Sequence, residues 1–217
     1  MSQKLTIIFD LDGTLLDTLD DLADSMNAAL ENMGFPPHPV ASYRYFVGDG
    51  IDMLVRRVLS PSAYTPTVHA QLREAMESEY SQRWRAKSRP YQGISALLNS
   101  LQERTIPMVV LSNKPEPFTV KAVEHLLSDW HFAVVRGARP DVPTKPDPTS
   151  ALQIAAEMNI LPEDFLYLGD TNTDMRTARA AGMYALGATW GFRPGAELLE
   201  SGAQRLLKTP GQLLDQL

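Results

Sequence analysis

Five short apolar runs, each followed by polar or turn-forming residues, predict buried β-strands. Apolar residues at helical spacing fill most of the intervals between the later runs. Strands that alternate with helices in this way predict a parallel sheet that is covered by helices on both faces. The five runs are Leu5–Phe9, Pro107–Leu111, Phe132–Val135, Phe165–Leu168 and Met183–Leu186.

The interval between the first two runs has a different, all-helical pattern. After Asp17 and Thr18, either of which could cap a helix, apolar residues recur at helical spacing up to Met33. Ile51–Leu59 and Val68–Trp84 predict two further helices, the second heavily charged and mostly exposed. A block of about 70 residues is much longer than a usual connection between strands. We therefore predict a doubly wound α/β core with a helical insertion after its first strand.

The composition is that of an ordinary globular protein with one large domain, or with one domain that carries an insertion. The chain has 217 residues, of which 44% are hydrophobic and 21% are charged. Its formal net charge of −6 argues against a non-specific nucleic-acid binder and against a protein that binds anionic membranes. The chain contains no cysteine, which excludes disulfides, thiolate nucleophiles and cysteine-bound zinc or iron–sulfur sites.

The apolar runs are too short for a membrane protein. None approaches the roughly 18 apolar residues of a membrane-spanning helix. No basic leader with a long apolar stretch precedes the first strand. We expect a cytoplasmic protein, with a monomer as the default and a dimer as the alternative.

Polar residues follow four of the predicted strands, at the edge where an open parallel sheet binds its ligands. A wound sheet would bring all four segments together, because the carboxyl ends of parallel strands share one edge. The segments are Asp10–Thr14, Ser112–Lys114, Thr144–Pro146 after the third strand, and Asp170–Asp174.

Three acids in these segments predict a metal site. If Asp10, Asp170 and Asp174 converge, like charges lie in one cleft and repel one another strongly. A hard divalent cation is the most direct way to stabilise them. Oxygen ligands with room left for water suit magnesium, which often also binds a substrate phosphate. We therefore expect Mg²⁺ as the cofactor.

The neighbouring side chains suit a phosphoryl group. Lys145 and the hydroxyls of Ser112 and Thr14 could hold its oxygens. A carboxylate that faces such a group can form an aspartyl-phosphate, so Asp10 is the candidate nucleophile.

Asp12 and Asn113 complete the candidate set. Asp12 lies two residues from Asp10, so it could share a face with it in an extended segment and then reach the leaving oxygen. It is the candidate acid for the leaving alcohol and base for the attacking water. Asn113 adjoins Ser112 and is a further candidate for phosphate binding.

In this order, the segments resemble the four-motif signature of the haloacid-dehalogenase-like hydrolase superfamily. The motifs are Asp10-Leu11-Asp12-Gly13-Thr14, Ser112, Lys145-Pro146 and Gly169-Asp170-xxx-Asp174. The resemblance implies a Rossmann-like core, and the helical insertion is similar to the cap of the phosphoglycolate phosphatase-like branch. We assign residues 1–16 and 88–217 to the core domain and residues 17–87 to the cap domain.

The resemblance also implies an enzyme, a phosphoric monoester hydrolase that acts on a small phosphorylated metabolite such as phosphoglycolate. It implies that Asp10 is the nucleophile and Asp12 the acid and base, and that Ser112 and Lys145 bind the phosphoryl group. It implies magnesium ligands from the first and fourth motifs, namely Asp10, the backbone carbonyl of Asp12, and Asp170, with Asp174 orienting the metal shell.

The insertion contains candidate specificity residues. Gly48-Asp49-Gly50 is typical of a tight turn between helices, and alternatively of a specificity loop that dips towards Asp10 when the cap closes. Arg44 is either a solvated arginine or a ligand for a substrate carboxylate. The four histidines have no metal-ligand spacing and form no catalytic triad pattern.

Other activities remain open on the same residues. A phosphosugar mutase uses the same nucleophile and acid/base pair, and a pyrophosphatase could use the same scaffold. Dehalogenating relatives lack an acid at the position of Asp12, and phosphonate-cleaving relatives use a cap lysine, whereas this insertion has only Lys87, at its edge. From a different class, a receiver-like phosphoacceptor signalling domain has a similar acidic site but no role for the insertion. A catalytically dead binding module predicts a broken motif, and no motif is broken.

Overall fold

The computed structural model describes residues 5–217, so residues 1–4 of the predicted core lie outside the described part of the chain. Eight strands are present in it: β1 (Thr6–Phe9), β2 (Leu16–Asp17), β3 (Arg89–Pro90), β4 (Met108–Pro115), β5 (Val134–Ala138), β6 (Phe165–Gly169), β7 (Tyr184–Ala188) and β8 (Arg205–Leu207). Six of them form one sheet in the order β5-β4-β1-β6-β7-β8, and every neighbouring pair is parallel. The predicted fold class is confirmed.

Two details of the sheet differ from the prediction. The edge strand β8 was not predicted, because a three-residue strand with an arginine carries almost no hydrophobic pattern. Strand β4 continues to Pro115 instead of ending at Leu111, so Ser112, Asn113 and Lys114 extend the strand rather than follow it.

Four helices lie between β2 and β3: α1 (Leu19–Asn32), α2 (Tyr43–Phe46), α3 (Ile51–Val58) and α4 (Pro66–Arg83). Their apolar sides pack together, with Met26, Tyr43, Val55 and Leu72 almost fully buried. Helix α2, a single turn, was not predicted because four residues are too few to show helical periodicity. Thr18 is the residue before α1, but its hydroxyl makes no capping hydrogen bond.

Five helices cover the two faces of the sheet: α5 (Ile94–Glu103), α6 (Glu116–Leu126), α7 (Thr149–Met158), α8 (Asn172–Ala180) and α9 (Gly195–Glu200). Successive side chains of β1 point to opposite faces, as in any strand. Ile7 and Phe9 join the cluster that contains α5 and α6, whereas Ile8 joins the cluster that contains α7, α8 and α9. Burial on both faces explains why the central strands are continuous apolar runs.

Two short strands, β2 and β3, lie where the chain enters and leaves the helical segment. β2 and β3 pair antiparallel, with Leu16 opposite Pro90 and Asp17 opposite Arg89. Among the described residues, no helix is both long and apolar enough to span a bilayer.

Candidate active site

The carboxyl ends of β1, β4 and β6 meet at one edge of the sheet. β1 lies between β4 and β6, so the chain winds outward in both directions from this point. Such a switch point in the strand order leaves a crevice at the carboxyl ends of the strands. The four predicted motif segments all reach this crevice, as the contacts described next show.

Lys145 is the central cation of the site. Its Nζ lies 2.7 Å from Oδ1 of Asp10, 2.6 Å from Oδ1 of Asp174 and 3.1 Å from the carbonyl oxygen of Leu111. The side chain is only 3% exposed. Burial lowers the pKa of Lys145, but the carboxylates of Asp10 and Asp174 outweigh this effect and raise its pKa well above the ordinary value. The lysine therefore stays charged.

Three buried carboxylates lie close together at this point, and two of them contact Lys145. One oxygen from each of Asp10, Asp170 and Asp174 lies within 4.8 Å of the other two. Burial, followed by repulsion from Asp174, raises the pKa of Asp10 to about 7, although Lys145 opposes the shift. Burial and the charges of Asp10 and Asp174 also raise the pKa of Asp170 well above its usual value. One lysine does not balance three carboxylates, so the donor set fits a hard divalent cation.

Hydrogen bonds hold two of these acids in place. Asp170 accepts one from the Thr14 hydroxyl at 2.8 Å and one from the backbone N–H of Phe192 at 2.7 Å. Asp174 closes a capping box at the start of α8, where its Oδ2 accepts from the hydroxyl and N–H of Thr171. Its Oδ1 faces Lys145 at the same time. Asp174 thus caps a helix and contributes to the acidic cluster.

Glycines make room for the acids. Gly13 has a φ of +93°, and a Cβ at this position would lie 2.3 Å from an oxygen of Asp170. A Cβ at Gly191 would lie 2.3 Å from Cβ of Asp170, and one at Gly169 would lie 2.3 Å from Cβ of Asp174. Contacts this close exclude any side chain.

Asp12 is paired with a lysine that we did not single out from the sequence. Nζ of Lys114 lies 2.9 Å from both carboxylate oxygens of Asp12. The same ammonium lies 4.6 Å from the centre of the Tyr80 ring, which belongs to α4. Burial opposes the charged form of Lys114, but Asp12 and Tyr80 outweigh it and raise the pKa of the lysine. Its only sequence clue was its place directly after Ser112-Asn113.

Strand β4 supplies the other two predicted phosphate-binding residues. The buried hydroxyl of Ser112 lines the crevice and accepts a hydrogen bond from the N–H of Lys114. The amide of Asn113 exchanges hydrogen bonds with the backbone of Lys145 and donates to the carbonyl of Gly48. Asn113 therefore joins three parts of the site. The Thr14 hydroxyl is directed at Asp170, a contact that the sequence did not indicate.

The candidate specificity residues contact the sheet edge. Asp49 accepts hydrogen bonds from the Thr173 hydroxyl and from Arg57. Burial favours the neutral form of Asp49, but these two donors outweigh it and lower its pKa. Gly50 precedes α3 and has a φ of +85°. Arg44 donates to the carbonyl of Gly191 at 3.0 Å, so its guanidinium reaches the sheet edge.

A second arginine, Arg193, extends from the sheet side and contacts residues 45–47 of the helical segment. Its guanidinium donates to the carbonyl of Val47 at 3.2 Å and lies 4.9 Å from the centre of the Tyr45 ring. No strand or motif marked Arg193 in the sequence, because it lies in the irregular segment between β7 and α9.

A cleft of about 80 Å³ lies between the strand ends and the helical segment. Its polar wall contains Asp10, Asp12, Ser112, Asn113 and Lys114. The rest of its lining is mainly apolar and includes Leu22, Ile51, Leu54, Met76 and Phe118.

Comparison with known proteins gives one consistent family. The family model for haloacid dehalogenase-like hydrolases matches residues 7–188. A phosphoglycolate phosphatase from Vibrio vulnificus is 31% identical over 215 residues, which cover 96% of this chain and 94% of that protein. Phosphoglycolate phosphatase 1 from Pseudomonas aeruginosa is 29% identical over 211 residues, covering 96% of this chain and 78% of that protein.

A solved structure agrees with these relatives. A candidate phosphoglycolate phosphatase from Lactobacillus delbrueckii subsp. bulgaricus superposes with a TM-score of 0.91 at 27% identity, covering 100% of this chain and 98% of that one. The predicted resemblance is thereby confirmed. The chain belongs to the haloacid dehalogenase-like hydrolase family, as a phosphoric monoester hydrolase of its phosphoglycolate phosphatase-like branch.

Proposed function

We propose that this protein is a magnesium-dependent phosphatase that hydrolyses a small phosphate monoester through an aspartyl-phosphate on Asp10. The observation that carries the proposal is the buried group in which Lys145 joins Asp10 to Asp174, with Asp170 beside them. A phosphoglycolate-like substrate is favoured because the relatives of similar length are phosphoglycolate phosphatases.

The acidic cluster would hold the metal. Asp10, Asp170 and Asp174 offer three converging carboxylate oxygens, and the resemblance adds the backbone carbonyl of Asp12. When bound, Mg²⁺ would neutralise these carboxylates and polarise the phosphoryl oxygens.

The residues of the chain divide the reaction into two displacements. In the first, an Asp10 oxygen bonds to phosphorus, the ester bond breaks, and Asp12 gives its proton to the leaving oxygen. In the second, a water oxygen bonds to phosphorus, the bond to Asp10 breaks, and Asp12 takes the proton of the water. Lys145 and the Ser112 hydroxyl stabilise the charge on the transferring group.

The cleft favours a small leaving group. A single bound water needs about 10–15 Å³ of cavity volume. The cleft has a volume of about 80 Å³ on the same measure, so it admits only several non-hydrogen atoms. A glycolate fits this description.

We also propose that residues 17–87 form a cap domain over a core of residues 1–16 and 88–217. The hydrogen bonds from Arg44, Asn113 and Arg193 across this boundary support a cap that is closed here. A closed cap would exclude bulk water during the reaction. A cytoplasmic location and a monomeric state stay predictions.

The replacement of Asp10 by asparagine tests the nucleophile. Phosphate release from 2-phosphoglycolate should require Mg²⁺, and Asp10→Asn should lower it by a factor of about 10³ or more, because an amide is a poor nucleophile. The control Asp215→Asn changes an exposed acid and should retain wild-type activity. Retained activity in Asp10→Asn, or no protein-bound phosphate in the wild type after rapid acid quench, would contradict the covalent route.

A further inference from the structure

We infer that the Lys114 ammonium binds a second anionic group of the substrate, a carboxylate on the carbon next to the ester oxygen. This inference rests on the proposed function and specifies its substrate class. It makes Lys114 a specificity-determining residue, a role that none of the sequence motifs indicated.

The walls of the cleft make a cation necessary for such a group. Much of the lining consists of aliphatic and aromatic side chains, among them Leu22, Leu54 and Phe118. An anion placed against apolar side chains loses its hydration and requires an ion pair in return. Lys114 is the only lysine or arginine among the described residues that line this cleft.

The other charges of the cleft do not serve this purpose. Asp10 and Asp12 carry the wrong sign and belong to the catalytic group. Glu77, at the rim, has a partner in Arg73, whose Nε lies 3.3 Å from it. A substrate carboxylate therefore meets one available cation in the cleft.

Lys114 is placed next to the leaving oxygen. Its Nζ lies 2.9 Å from each oxygen of Asp12, the residue to which we assign proton transfer at that oxygen. A carboxylate one carbon from the ester oxygen would therefore lie within reach of the same ammonium. A lysine has three N–H donors, so Lys114 can donate to a substrate oxygen while it stays paired with Asp12.

The environment of Lys114 would make this contact strong. The side chain is 4% exposed, and the Tyr80 ring supports the ammonium on the side of α4. Phe118 packs edge-on against Tyr80, with ring centres 5.2 Å apart. Charge-assisted hydrogen bonds gain strength where water is excluded, and the rings limit the movement of the lysine.

Two substrates of equal size test the inference. 2-Phosphoglycolate and isobutyl phosphate have the same number of non-hydrogen atoms, but only the first carries a carboxylate. Wild-type kcat/KM should favour 2-phosphoglycolate by about tenfold or more, and Lys114→Met should lower kcat/KM for it by about a hundredfold. For isobutyl phosphate the same variant should lose only about threefold, and Lys114→Arg should keep the preference for the acid.

The controls separate specificity from folding and from the reaction itself. Lys208→Met removes an exposed lysine and should leave both substrates unaffected, and thermal unfolding checks that each variant is folded. Equal losses on both substrates in Lys114→Met would overturn the inference, because Lys114 would then act only through Asp12. A wild type that prefers isobutyl phosphate would also overturn it, while the phosphatase proposal would stand. A wild type that hydrolyses neither substrate with Mg²⁺ would overturn both.

Discussion

At the residue scale, each acid of the buried acidic cluster is held by hydrogen-bonding partners. Lys145 fixes Asp10, the Thr14 hydroxyl fixes Asp170, and the Thr171 hydroxyl and N–H fix Asp174. The carboxylates therefore do not move apart to relieve their repulsion. Because the carboxylates are fixed close together, their mutual repulsion raises their affinity for a proton or a dication. The two ligands compete for the same oxygens.

The pH dependence of stability follows from Asp10. Its pKa in the folded protein is about 7, against an ordinary value of 3.8. Between these pH values the folded protein retains a proton on Asp10 that the unfolded chain has lost. The stabilisation from this proton is therefore complete at low pH and is lost as the pH rises towards 7. Asp10→Asn should remove this component of the dependence.

Thermal unfolding in EDTA and in MgCl₂ measures the effect. Because Mg²⁺ displaces the proton, the increase in melting temperature that it produces should grow over the same pH interval. An increase that shrinks with rising pH, or no response to Mg²⁺, would contradict the assignment of the cluster as the metal site.

At the element scale, one buried carboxylate connects the two chain segments, at β2 and β3, that join the helical segment to the rest of the protein. Asp21, in the first turn of α1, accepts hydrogen bonds from the N–H groups of Lys87 and Ser88 and from the Ser88 hydroxyl. These residues directly precede β3, and Asp21 itself lies just after β2. Asp21 thus fixes both connections of the helical segment at a single point.

The replacement Asp21→Asn should destabilise this junction. The amide of the asparagine keeps one acceptor oxygen, but its NH₂ group would face the N–H donors of Lys87 and Ser88. At least one of these buried N–H groups would then lose its partner. We expect the free energy of unfolding to fall by about 2–4 kcal/mol in urea titrations. The matched control on the same helix is Asp24→Asn, which removes an exposed ion pair with Lys87 and should lower the free energy of unfolding much less, because solvent screens such pairs. Equal losses in both variants would argue against the role of Asp21.

At the scale of the whole molecule, two arginines link the helical segment and the sheet edge in opposite directions. Arg44 extends from the helical segment to the carbonyl of Gly191, and Arg193 extends from the sheet side to the carbonyl of Val47. The Tyr45 ring lies against the Arg193 guanidinium. Together these contacts hold residues 43–50 over the strand ends, where a cap would have to close.

Removal of Arg193 should favour an open cap. In Arg193→Met we expect kcat/KM to fall by about tenfold, equivalent to 1.4 kcal/mol, mainly through a higher KM. The radius of gyration from small-angle X-ray scattering should increase. Arg205→Met, on an exposed side chain of β8, is the control. Unchanged kinetics and scattering in Arg193→Met would contradict a role of this arginine in closure and weaken the proposed division into cap and core.

The sequence was most informative about the strands and the acids that follow them. Asp10, Asp170 and Asp174 were recognisable because carboxylates directly after buried strands must share the carboxyl edge of a parallel sheet. Lys114 and Arg193 were not recognisable. Their partners, Asp12 and Val47, lie 102 and 146 positions away in the chain, and no local pattern encodes such contacts.

The sequence alone determined the alternation of strands and helices, the long insertion and the set of catalytic candidates, because hydrophobic periodicity and residue chemistry are local properties. Only the tertiary structure decided that Thr14 donates to Asp170, that Lys114 pairs with Asp12, and that residues 43–50 rest on the sheet edge. These contacts depend on how distant segments pack, and packing is set by the shape of the whole core rather than by any one segment.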